Sequence, residues 1–344
     1  MGQNSMKFGT TGIFSLGMFL VLLIAVSTFI TACGNSTSPA APAPVTIIQL
    51  VTPTNTATPL PGTGSSWTAR TLPRSQSWDS VTYGNGVFVA VAFGSAVAAT
   101  SPDGITWTER SLPSSQNWGF VTYGNGVFVA VPLGSAVGAT SLDGISWTAC
   151  TLPSSQSWAS VSYGNGVFAA VAYGSAVAAT SPDGTTWTTR TLPSSQNWNS
   201  VTYGNGVFVA VTYGSAAAAT SPDGITWTPR TLPSLLNWGS VTYGNGMFVA
   251  VSINSAAAAT SPDGITWTAR ALPSSQKWYP VTYGNGVFVV VASGPSTAAA
   301  TSPDGITWTA RTLPSSQDWN SVTYGNGVFV ALTLGPGTVA ATSP

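Results

Sequence analysis

From residue 65 onward, short apolar runs alternate with turn-forming residues, and the pattern returns every 40 residues. In the unit 117–156, Asn117 to Tyr123 reads as a first strand and Val127 to Val131 as a second, with Gly124-Asn125-Gly126 between them. Asn-Gly between β-rich runs signals a tight hairpin, because a type I′ turn needs positive φ at both central residues. Gly134-Ser135 turns the chain into a third strand, Ala136 to Ser141. Leu142-Asp143-Gly144 then leads into a fourth, Ile145 to Thr151; the other copies read Ser-Pro-Asp-Gly at this turn. Proline fixes φ there and glycine takes the left-handed position. No stretch of the repeat has apolar spacing of helical period.

All fourteen tryptophans obey the same period. One series is Trp67, Trp107, Trp147, Trp187, Trp227, Trp267 and Trp308; the other is Trp78, Trp118, Trp158, Trp198, Trp238, Trp278 and Trp319. Four short strands per repeat of this length describe a propeller blade. The expected fold is therefore all-β, a seven-bladed β-propeller over residues 65–344. The region opens with a fourth strand alone (Trp67 to Arg70) and ends on a third strand, Val339 to Ser343. The N-terminal strand should complete the last blade and remove the free edges. At that seam Ser343 and Pro344 begin a turn that lacks its aspartate, and the terminal carboxylate of Pro344 is expected to stand in for it.

The first residues have another character. Lys7 precedes an apolar run from Ile13 to Ile30, ending in Ile30-Thr31-Ala32-Cys33. A basic start, an apolar core and small residues before a cut site describe an export signal over residues 1–33. Its end resembles the bacterial lipoprotein signal, with Ile30 where leucine is usual and Cys33 as the lipid attachment residue. Residues 34–64 are rich in Pro, Ala, Ser and Thr and read as an extended tether. The resemblance implies an extracytoplasmic protein, lipid-anchored to a bacterial cell envelope.

Ser101-Pro102-Asp103-Gly104-Ile105-Thr106-Trp107 and its copies resemble the Asp-box, or BNR repeat, of sialidase-like β-propellers, with one residue fewer between Asp and Gly than the commonest pattern. The resemblance assigns Asp103, Asp143, Asp183, Asp223, Asp263 and Asp304 to these boxes. Their expected role is to hydrogen-bond the turn backbone. Sialidases of that family need a cluster of arginines, a Tyr–Glu pair and a catalytic Asp. Here Arg70, Arg110, Arg190, Arg230, Arg270 and Arg311 occupy one repeat position on the outermost strand, Glu109 is the single glutamate, and there is no histidine. The expectation is a protein that is not an enzyme and takes no cofactor or metal. Zero net charge argues against nucleic acid as a partner. Cys150 replaces the arginine in one copy, and with no histidine to activate it, it reads as inert.

Tyr-Gly-Asn-Gly recurs unaltered in every copy, whereas the second–third turns carry Phe93, Leu133, Tyr173, Tyr213, Ile253, Ser293 and Leu334. Variation gathered on one face suits a binding surface, and it equally suits relaxed loops. The Trp78 series starts each first strand beside that face; it either stacks on sugars or fills the core between blades, the more usual place for large aromatics. Charges that break the repeat gather near the seam: Arg74, Asp79, Lys277 and Asp318, with Tyr279, form the candidate ligand site. The functional expectation is a surface-tethered, non-enzymatic binding or scaffold propeller, acting as a monomer on a glycan or an envelope or extracellular protein. An atypical or degenerate sialidase-like glycosidase and an envelope assembly factor are the alternatives.

Overall fold

The structure, a computed structural model, describes residues 64–344. The signal-like segment, Cys33 and the tether up to residue 63 lie outside the described residues. Among the described residues there is no helix, and so none long and apolar enough to cross a membrane. The chain forms a β-propeller of repeated four-stranded antiparallel units. One unit comprises Trp198–Gly204, Val207–Thr212, Ser215–Ser221 and Thr228–Leu236, hydrogen-bonded in that order. Its first hairpin closes Gly204 on Val207 through Asn205 (φ 46°) and Gly206 (φ 78°), both left-handed as the Asn-Gly pair requires.

Several boundaries differ from the sequence reading; in the unit 117–156 the second and third strands form one continuous strand, Val127–Ser141, through Gly134-Ser135. The fourth strand begins at Thr148 rather than Ile145. The amides of Ile145 and Ser146 are engaged by the Asp143 carboxylate at 2.8 and 2.9 Å, so neither is free for the ladder. Three fourth strands also run on without a break into the next unit: Thr68–Gly84, Thr148–Gly164 and Thr268–Gly284. The first strand of this kind, Thr68–Gly84, pairs Thr68–Thr71 with Val339–Thr342 and Ser77–Gly84 with Val87–Phe93.

Apolar clusters form between units. Trp198, 1 % exposed, packs with Val201 and Phe208 and with Val171, Ala178 and Leu192 of the preceding unit. Its Nε1 donates to the Ser194 carbonyl at 3.1 Å, leaving no unsatisfied polar edge. Burying roughly 200 Å² of tryptophan at about 25 cal/mol per Å² contributes about 5 kcal/mol before entropy is counted. Every member of the Trp78 series is buried in this way, so none has a face to offer a sugar. Here the core reading holds.

Three further links recur between neighbouring units, all in the same sense, the serine link being absent where Phe120 and Pro280 take the serine's place. The Ser200 hydroxyl accepts the Val241 amide (3.1 Å), and Asn205 Nδ2 donates to the Pro262 carbonyl (3.1 Å). A Cβ on Gly204 would lie 2.0 Å from the ring of Tyr243, so that ring can lie on the preceding unit only where the chain has glycine. The same links join the two ends of the repeat region. Ser321 Oγ accepts from Val81, Asn326 donates to Pro102, and Tyr83 lies on Gly325.

At the seam the Pro344 oxygen accepts the Gly64 amide at 3.1 Å. In five of the six other turns the glycine amide goes to the serine hydroxyl, as Gly104 does to Ser101 Oγ at 2.8 Å. Pro344 thus takes over the serine's acceptor role rather than the aspartate's. Ser343 Oγ and Trp67 Nε1 are left buried without partners.

Candidate functional site at the funnel mouth

The innermost strands surround a narrow central channel of about 200 Å³, lined by residues such as Thr82, Thr122, Ser162 and Thr202. On the face opposite the Tyr-Gly-Asn-Gly turns it widens into a depression of about 420 Å³. A β-bulge builds this mouth. In each inner strand the register slips just after the second tryptophan, as between Trp78 and Ser80 or Trp198 and Ser200. A bulged residue leaves the regular ladder and its side chain is re-aimed. Asp79, Gly119, Ala159, Asn199, Tyr279 and Asn320 occupy that position and line the depression. Leu133, Tyr173, Tyr213, Ile253 and Ser293, from the second–third turns, form the surrounding wall.

Asp79 is the only charged side chain in this lining. Its carboxylate accepts a hydrogen bond from Asn320 Nδ2, which also donates to the Asp79 carbonyl at 3.2 Å. Enclosure among its neighbours raises the Asp79 pKa from 3.8 to about 7, outweighing the lowering effect of the Asn320 bond. Burial, and then the charge of Asp79, push the Tyr279 phenol upward as well. Asn199 Nδ2 donates to the Gly239 carbonyl at 2.6 Å. Gly239 leaves space at the wall: a Cβ there would meet Ile253 at 2.6 Å and the Tyr279 ring at 3.1 Å.

Of the five residues expected at the ligand site, Asp79 and Tyr279 line the depression together, and Arg74, Lys277 and Asp318 are not part of its lining. Arg74 pairs with Glu109 at 3.3 Å, both exposed. Lys277 is exposed beside the Gly294 turn, and Asp318 accepts the Gly294 amide. The expected mixed-charge patch therefore does not form at the funnel. Only the residue after the tryptophan sits on the bulge, whereas Arg74, Lys277 and Asp318 all precede it. Asn199 and Asn320 were missed, although the changing residue after each second tryptophan was visible in the sequence.

The other singled-out residues have local partners. Asp183 Oδ1 accepts the amides of Thr185 and Thr186 and the Ser181 hydroxyl. These bonds, that to Thr186 foremost, hold its carboxyl well below the ordinary range. Asp103, Asp143, Asp223, Asp263 and Asp304 make the same pair of backbone bonds. Arg190 Nε donates to Thr180 Oγ1 on the neighbouring third strand. Burial pushes the Cys150 thiol up to about 11, so it stays protonated near neutrality. Among the described residues no group of three His, Cys, Asp or Glu side chains could hold a metal.

No family model and no curated protein matches the chain. Solved structures do. Virginiamycin B lyase from Staphylococcus aureus superposes with a TM-score of 0.73 at 12% identity, over 81% of this chain and 99% of that one. A streptogramin B lyase gives 0.73 at 11%, over 81% and 98%. YCF48 bound to a D1 peptide gives 0.64 at 17%, over 83% and 99%. These likenesses show the propeller fold. They also overturn the expectation that the chain is not an enzyme: lyases are built on this same framework, and a missing sialidase residue set excludes only sialidase chemistry.

Proposed function

We propose that this protein is a ligand-binding propeller of seven blades whose binding site is the funnel mouth. Thr68–Thr71 would complete the last blade, a reading supported by the pairing with Val339–Thr342 and by the Val81–Ser321 bond. The apolar clusters support it too, since one of them joins Trp78 and Phe88 to Val330 and Leu332.

One observation carries the functional reading. Two of the positions at which the near-identical copies differ most, the residue after each second tryptophan and the second–third turn, supply most of the lining of a single depression, and that depression also holds the one enclosed carboxyl of the mouth. Tyrosine and aliphatic walls over an amide floor suit an extended peptide or a glycan. A propeller of the same fold binds a peptide in the YCF48 structure. A second reading is favoured by Asp79: a carboxyl with a pKa near neutrality is suited to proton transfer, and the fold is also that of lyases. Peptide and glycan arrays probed with the wild type, Tyr213→Ala and Asn199→Ala test the site. A loss of about tenfold or more in binding is expected for both variants. Unaltered binding by both would remove the funnel from consideration, and chemical change in a bound ligand, read by mass spectrometry, would favour the second reading.

We also propose that the propeller is tethered outside the cytoplasm through Cys33, on the strength of the Ile30-Thr31-Ala32-Cys33 junction after the apolar run. In a bacterial host, Cys33→Ser should move the protein out of the membrane fraction or leave an unprocessed precursor. Retention of an acylated protein in the membrane would count against it.

A further inference from the structure

We propose that the funnel mouth selects ligands bearing a protonated amine, seated on the Asp79 carboxylate between tyrosine side chains. This rests on the funnel being the ligand site and names the chemistry it prefers. The lining contains one carboxylate and no lysine or arginine. Arg74, the arginine nearest in sequence, is committed to Glu109, and Lys277 is exposed outside the lining. Asp79 Oδ1 is engaged by Asn320, and among the described residues no side chain donates to Oδ2. An enclosed carboxylate with one oxygen unbonded lacks a counter-charge, and an ammonium group supplies both the charge and the missing donors.

The walls agree with this. Tyr173, Tyr213 and Tyr279 line the same space, and tyrosine faces attract cations. A ligand that meets the mouth with a carboxylate or phosphate would face Asp79 with no cation to offset it. The preference arises from the repeat itself: the bulge position is Asp only here, while Asn stands at the same place in two other units, Asn199 and Asn320. Asp79→Asn therefore removes the charge while keeping a residue that the fold already accommodates at this position.

Two sources of an ammonium group fit, a free alkylamine and a lysine side chain on a peptide. Isothermal titration and ligand-observed NMR of the described propeller within the full chain would use n-butylammonium, acetyl-Gly-Lys-Gly-amide, n-butanol and butyrate. Both amine probes should bind and both controls should not, with Asp79→Asn weakening the amines about tenfold or more. Binding of the peptide well above butylammonium would assign the lysine source, and equal binding the free amine. The proposal is overturned if butanol or butyrate binds as well as butylammonium, or if Asp79→Asn keeps its affinity for the amines. Should the array ligands depend on Tyr213 and Asn199 while no amine binds, the amine preference falls and the funnel as a site stands.

Discussion

The two faces of the propeller are made by the same repeats yet are held to different standards. On the Tyr-Gly-Asn-Gly face the repeat residues engage neighbouring units: each tyrosine ring lies against a glycine of the preceding unit, and in six of the seven copies the asparagine amide donates to a backbone carbonyl of the next. A change in one copy there would disturb two units. At the funnel mouth the residue after each second tryptophan sits on a bulge and owes the ladder nothing. Across the copies it is Asp, Gly, Ala, Asn, Gly, Tyr and Asn. Constancy among copies goes with contacts that recur at every junction, whereas the bulge position makes a bond to the neighbouring unit only where it is asparagine, as Asn199 and Asn320 do. Six of these seven positions line one depression, which is why the funnel rather than the turns is proposed as the ligand site.

Equivalent tyrosines give the hardest test of the constant face. Tyr203→Ala removes a ring that packs against Gly164 and stacks on Phe208 at 4.8 Å, and should destabilise by about 3 kcal/mol. Tyr83→Ala does the same at Gly325, between the first and last units, so in a closed ring its cost in chemical denaturation should match. A markedly smaller cost at Tyr83 would mean that the ring is open at that junction.

Smaller effects separate the faces by pH. Asp183 has a folded pKa below its ordinary value, so its stabilisation is present above the unfolded carboxylate range and is lost as pH falls. Asp183→Ala should cost roughly 1 kcal/mol at pH 7 and progressively less in acid. Asp79 has the opposite sign. Its folded pKa is raised from 3.8 to about 7, so the native state binds the proton more firmly, and stability falls as pH rises through that window. Thermal melts of Asp79→Asn should lie above the wild type at pH 8 and converge with it near pH 4. If the two variants shift in parallel with pH, the electrostatic contrast between the faces is wrong.

Much of the fold could be read from residues. Asn-Gly pairs fixed the hairpins, the 40-residue spacing of tryptophan fixed the repeat, and Ser-Pro-Asp-Gly marked turns whose aspartates do bond the backbone. The site was half legible. Variation after Trp78 and its equivalents, and at Tyr173 and Tyr213, was plain in the sequence. What could not be seen was the bulge, a register slip of one residue that depends on the paired strand and leaves no composition of its own. Without it, charge alone led to Arg74, Lys277 and Asp318, which stay with local partners or in solvent. Asp79 was named for its charge, but its enclosure by Asn320 and Tyr279 comes from strands some two hundred residues away.

The bulge has a consequence for how such a molecule changes over generations. Because the flanking tryptophan stays buried and the ladder resumes by Ser80, or by Val281 where Pro280 intervenes, the bulge residue can change without displacing the tryptophan core. At Gly119 and Gly239 a larger residue needs a matching change in the facing wall residue, Leu133 or Ile253. Duplication of a repeat supplies the frame, and point substitution at a single address per repeat supplies a new lining. Selection for a different ligand would thus meet little opposition from selection for folding, a separation that most binding sites, built from the same side chains that hold their domain together, do not enjoy.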